Sequence, residues 1–120
     1  MAPNFPETHI APSRITAGET PDKFFKEIEK TFSTGLDIIR KKNHDYGGPV
    51  DHYKNFRFAE QLGVSVEKGI LVRISDKLAR ISNLLDRPAA VADEKIEDTI
   101  LDAINYLAIL KAYIYEKEQE

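Results

Sequence analysis

The stretch Asp93–Glu118, DEKIEDTILDAINYLAILKAYIYEKE, decides the fold. It reads as the last and longest helix. Asp93 is a good N-cap, and Glu94, Glu97 and Asp98 bring negative charge to the first turns, where it suits the helix dipole. At 100° per residue, Ile96, Ile100, Ala103, Ile104, Leu107, Leu110 and Ile114 fall on one face, an ordinary core stripe. Glu94, Asp98, Asp102 and Asn105 share another face, within an arc of roughly 80°. Further along, that second line becomes Ala108, Ile109 and Ala112, which do not belong on a plain solvent face. The carboxylates are therefore expected in a cleft or interface, where several acidic groups call for a compensating cation.

Composition narrows the function classes. A chain of 120 residues with 42% hydrophobic and 31% charged residues makes one globular domain with a proper core. No apolar run approaches the roughly 20 residues needed to cross a bilayer, and the N-terminus lacks the charged-then-apolar layout of a signal peptide. The absence of cysteine excludes disulfides and thiolate metal sites and fits a cytoplasmic location. A formal net charge of −3 argues against a sequence-independent grip on nucleic acid. Small anions neutralised locally, such as nucleotides carrying a divalent cation, remain suitable partners.

Residues 1 to 20 contain Pro3, Pro6 and Pro12 without periodicity and read as an extended arm ahead of a single domain over 21–120. Thr20 and Pro21 give a helix start, and Phe24, Phe25, Ile28, Phe32, Leu36 and Ile39 repeat at helical spacing to about Lys42. Lys42 and Asn43 prolong that inward stripe, either towards the mouth of a bundle or as a frayed end. His44 to Pro49 breaks the helix. A short helix over about Tyr53 to Leu62 ends at Gly63, a C′ glycine. Ser65 caps a third helix, about Val66 to Asp86. Its core face is Val66, Ile70, Ile74, Leu78, Ile81, Leu84 and Leu85, and its opposite face carries Arg73, Asp76, Arg80 and Asn83 with Lys77 at the rim. Strand signals are absent. The expected fold is all-α, three long helices and one short.

Three groups of residues suit chemistry. Carboxylates at i, i+4 and i+8, here Glu94, Asp98 and Asp102, stack on one helix face and can share a hard cation such as Mg²⁺ or Mn²⁺; a solvated acidic face is the alternative. Arg73, Asp76, Lys77 and Arg80 suit phosphate oxygens, while an Asp76–Arg80 pair at i, i+4 explains part of the pattern on its own. The loop from Lys42 to Phe56 offers Asp45, Tyr46, Gly47, Gly48 and Asn55, with glycines for close backbone approach and Tyr46 as a stacking group. Phe56 and Phe58 read as core. His9, His44 and His52 sit in the arm and loops, which does not suit zinc.

The motifs Lys42-Asn43-His44-Asp45-Tyr46-Gly47, Asn55-Phe56, Arg73-Ile74-Ser75-Asp76-Lys77-Leu78-Ala79-Arg80 and Asp93 to Tyr106, in that order, resemble the phage nucleotide-modification-associated domain family. More distantly, the last two helices are similar to MazG-type all-α nucleoside triphosphate pyrophosphohydrolases. Those enzymes hold Mg²⁺ with an E-x-x-E on one helix and an E-x-x-D on the next, and cleave between the α- and β-phosphates. Asp76-Lys77-Leu78-Ala79-Arg80 stands where the E-x-x-E would be, and Glu94, Asp98 and Asp102 match the second part loosely.

Two functions follow as expectations. One is an Mg²⁺-dependent phosphohydrolase of phage or prophage type. In it Asp76, Asp98 and Asp102 serve catalysis, and Glu94, Asp98 and Asp102 hold the metal. Lys42, Asp45, Tyr46, Asn55, Arg73, Lys77, Arg80 and Asn105 bind the nucleotide. The other is a non-catalytic nucleotide binder using the same cationic and aromatic groups. The final helix, apolar on nearly every side from Leu107 to Ile114, predicts a homo-oligomer.

Overall fold

The computed structural model describes residues 20–45, 51–87 and 95–120. The proline-containing arm, the Tyr46–Gly48 turn and the pair Asp93 and Glu94 lie outside the described residues. Four helices follow in order: α1 (Thr20–Asp45), α2 (Lys54–Gln61), α3 (Val66–Asp86) and α4 (Ile96–Glu118). The described residues contain no strand, so the all-α expectation holds, with three long helices and one short. None of these helices is long and apolar enough to cross a membrane.

The chain divides into a unit ending at Ser33 and a unit running from Thr34 to Glu120. In the first, α1 presents Phe24, Phe25, Ile28 and Phe32 as exposed side chains, with the two phenylalanine rings edge to face 5.3 Å apart. The periodicity of these residues is helical, as the sequence reading has it, but they are not core. Helix α1 also continues through His44 and Asp45, a few residues past the expected break.

The second unit holds the core. Ser65 accepts a hydrogen bond from the Lys68 amide at 3.2 Å, satisfying one of the orphan donors at the start of α3. Gly63, at φ +81°, takes the left-handed C′ position after α2 that side chains resist. Between these two turn residues the chain reverses, and α2 lies on the first half of α3. Tyr53, Phe56, Val66, Ile70 and Ile74 form the buried cluster, with Tyr106, Ile109, Leu110 and Tyr113 of α4 packed against it. Tyr53 meets Tyr113 at 4.9 Å and Phe56 meets Tyr106 at 6.1 Å, both edge to face. Val66 and Ile70 are essentially inaccessible, and each such burial contributes about 1.5–3 kcal/mol.

Helices α3 and α4 are antiparallel. Glu67 near the start of α3 meets Lys117 near the end of α4, and Lys77 meets Asp102 further along, both at 3.1 Å. The face that α4 turns to α3 runs through Thr99, Ala103, Tyr106, Leu110 and Tyr113, a 4-3 spacing, rather than through the stripe chosen from the sequence. Ile100, Leu107 and Ile114 of that stripe are exposed, and so are Leu78 and Leu85 of the face expected to bury on α3. Helix α4 is apolar nearly all round from Leu107 to Ile114, so periodicity alone could not choose between the two stripes. The expected start of α4 also moves: the helix opens at Ile96 with Lys95 at the N-cap, making no side-chain cap bond, so Asp93 is not the cap.

Candidate functional site

With α3 and α4 antiparallel, helical geometry sorts their remaining residues onto two sides of the pair. On α3, Arg73, Asp76 and Arg80 turn to one side of the line joining the two helices. On α4, Asp98, Asp102 and Asn105 turn to that same side. The Lys77 ammonium 3.1 Å from Asp102 Oδ2 marks where the two rows meet. The cationic row and the acidic row of the sequence reading therefore border one polar strip.

Each member has a distinct setting. Asp102 and Lys77 are partly covered, with side chains 37% and 29% exposed, whereas Asp76, Asp98 and Arg80 are exposed. Arg73 lays its guanidinium over the Phe56 ring, 5.8 Å from the centroid. Asn105 is buried at 8% exposure, although it lies on the far side of α4 from α3. The reason is Gly35 of α1: a Cβ there would stand 2.6 Å from Asn105 Oδ1 and 3.2 Å from a Leu101 methyl. Only a residue without a side chain lets α1 come so close, and Asn105 forms the floor beneath that crossing.

Other residues singled out from the sequence are placed less centrally. Lys42 is exposed near the end of α1, and Asn55 is exposed in the first turn of α2. Asp45 closes α1, Tyr46 is outside the described residues, and Glu94 is also outside them and precedes the first residue of α4. Among the described residues no three His, Asp or Glu side chains converge as a metal-binding group. Asp98, exposed, and Asp102, partly covered, stand one turn apart and still suit Mg²⁺. That ion commonly takes one or two carboxylates and fills its shell with water and substrate phosphate. Phe56 is core as expected; Phe58, at 61% exposure, is not.

A second polar cluster escaped the sequence reading. Asp51, His52, Tyr53 and Arg57 face Tyr113, Glu116 and Lys117 across a cleft of about 350 Å³ at the C-terminal end of α4. Tyr53 donates its hydroxyl proton to Glu116, Arg57 Nε donates to Asp51, and Lys117 donates to Glu67 at 3.1 Å. Asp51 Oδ1 also accepts from the Tyr53 amide, 3.1 Å away. Burial, and then the bond to Glu116, pushes the Tyr53 hydroxyl well above its ordinary value of 10.0. The hydrogen bond from Arg57 holds the Asp51 carboxyl below 3.8. The charges here are matched to one another, so this end clasps α4 to the entry of α2. The only sequence trace of it is polar residues scattered from 51 to 117, which no helical spacing links.

No family model, no curated protein and no solved structure matches this chain.

Proposed function

We propose that this chain binds a nucleotide along the polar strip bordered by α3 and α4, as a cytoplasmic homo-oligomer. The observation that carries this reading is the Lys77–Asp102 contact, which sets the Arg73–Arg80 row beside the carboxylates of α4. Guanidinium groups from Arg73 and Arg80 offer forked donors to phosphate oxygens, and Lys77 supplies a point charge between them. Asn105, buried under Gly35, supports the strip from below rather than reaching a ligand. The resemblance of the motifs to a phage nucleotide-modification family supports the same substrate class.

Magnesium fits this strip through Asp98 and Asp102. When bound there it would neutralise the carboxylates and polarise a phosphate oxygen. Its charge would also compete with Lys77 for Asp102, releasing the ammonium to the phosphates. A second reading, an Mg²⁺-dependent pyrophosphohydrolase, is favoured by Asp98 standing one turn from Asp102 with Asp76 exposed on α3. Binding ranks first because Asp102 already has its counter-charge in Lys77, and because Asp76-x-x-Ala79 supplies one carboxylate where the hydrolases use two. Incubation with a panel of deoxynucleoside triphosphates and Mg²⁺ or Mn²⁺, followed by chromatography, separates the readings. Intact nucleotide is expected; release of monophosphate and pyrophosphate would establish the hydrolase.

A further inference from the structure

One side of α3 is opened by Gly69, where a Cβ would stand 3.2 Å from the Cβ of Ala59 and 3.9 Å from the Phe56 carbonyl oxygen. The missing side chain lets α2 settle on α3 one turn before Arg73, which lies on the same side of the helix. That seat brings the Phe56 ring to Arg73, with its centroid 5.8 Å from the guanidinium carbon. The ring is itself fixed. It is 9% exposed, belongs to the core cluster with Ile70 and Ile74, and meets Tyr106 of α4 edge to face at 6.1 Å. Arg73 is exposed, and among the described residues it has no carboxylate within ion-pair reach and no hydrogen-bond partner. Asp76, at i+3, would be its ordinary partner on a helix, and the ring takes that place. Lys77, one turn further along α3, is by contrast 3.1 Å from Asp102.

We infer that Phe56 is a positioning residue, holding Arg73 as the standing anchor of the strip for the phosphates of a nucleoside polyphosphate. This rests on the nucleotide reading above and specifies which cation is ready for the phosphates and what keeps it so. An ion pair steadies a long cationic side chain, but the carboxylate also cancels its charge and takes up its donors. A neutral ring holds a guanidinium through its quadrupole and leaves the charge whole. Arg73 is therefore held in place with its charge intact, whereas Lys77 must first give up Asp102. The planar fork of an arginine suits two oxygens of one phosphate, which a lysine cannot match. Arg73 and Lys77 stand about 6 Å apart along the axis of α3, which suits adjoining phosphates of one polyphosphate chain. Packing explains why an apolar side chain stands at 56; the arginine without a carboxylate beside it is what calls for a ring.

Titration calorimetry of the wild-type chain with the four common deoxynucleoside triphosphates in Mg²⁺ finds the one bound most tightly, which is then carried to the variants. Arg73→Met should weaken binding about tenfold or more. Phe56→Leu should weaken it about two- to fivefold, and should add nothing in the Arg73→Met background. A measurement on the wild type alone covers the case in which Phe56→Leu does not fold. The ¹⁵N heteronuclear NOE of Arg73 Nε should approach that of the backbone and exceed that of Arg40, which is exposed and has no hydrogen bond or ion pair among the described residues. A wild type that binds none of the nucleotides would overturn the nucleotide reading and this inference together. Binding that is equal in wild type and Arg73→Met would overturn the anchor alone. No effect of Phe56→Leu, the same effect in both backgrounds, or an Arg73 Nε as mobile as that of Arg40 would overturn the positioning role.

Discussion

Replacing Gly35 with alanine tests the crossing of α1 over α4 that buries Asn105. Two effects of known size oppose one another. Gly35 lies inside a helix, so alanine should stabilise by about 1 kcal/mol through propensity. The new Cβ, however, would lie 2.6 Å from Asn105 Oδ1, well inside contact distance, and 3.2 Å from the Leu101 methyl. Overpacking of this kind costs about 1–3 kcal/mol, and Asn105, being buried, has little room to swing aside. The net expectation is a loss of about 1 kcal/mol. In an Asn105→Ala background the closest contact is gone, and the Leu101 methyl needs to yield only a few tenths of an ångström. There Gly35→Ala should stabilise by about 0.5–1 kcal/mol, a coupling near 2 kcal/mol across the cycle. Urea midpoints of the four proteins, taken at one protein concentration, give the answer. The same effect of Gly35→Ala in both backgrounds would refute the close approach.

Further outcomes follow from the same geometry. Asp102→Asn leaves Lys77 without its partner charge and should lower stability by at most about 1 kcal/mol in EDTA, since the pair is partly exposed; in millimolar Mg²⁺ the melting temperature should rise for the wild type and not for the variant. Arg80→Ala should weaken nucleotide binding while shifting the melting temperature little, which calorimetry and thermal melts check together. Tyr53→Phe should cost about 1–2 kcal/mol near pH 7 by removing the bond to Glu116. Because the folded-state value of Tyr53 lies above the unfolded 10.0, its contribution is present below pH 10 and lost as pH rises beyond it. The wild type should therefore lose more stability than Tyr53→Phe between pH 9 and 11, and parallel losses would contradict the assignment. Ser65→Ala should cost about 1 kcal/mol through the lost cap at the start of α3, read from the denaturation midpoint.

The sequence carried the helices further than it carried their packing. Ser65, Gly63 and the Ile70/Ile74 spacing are local signals, and the ends of α2 and α3 fall where those residues set them. The orientation of α4 was not local. With apolar side chains at 96, 100, 101, 103, 104, 106, 107, 109 and 110 in one helix, two stripes compete, and contact with Ile70 and Phe56 selects the one through Tyr106 and Tyr113. The polar line Asp98–Asp102–Asn105 was legible because its members share an angle. Its pairing with Lys77 and its closure by Gly35 were not, because each depends on a residue from another helix. The Tyr53–Glu116 clasp joins residues 63 positions apart and left no spacing to read.

The central claim, that the strip between Arg73, Lys77, Arg80 and the α4 carboxylates is a nucleotide site, is tested most directly by titration calorimetry. Deoxynucleoside triphosphates and monophosphates would be titrated into the wild-type chain and into Lys77→Met, with and without Mg²⁺. The account predicts saturable binding of at least one triphosphate to the wild type, weakened about tenfold or more in Lys77→Met. Absence of binding by every nucleotide at millimolar concentration, or equal affinity in the two proteins, would contradict it.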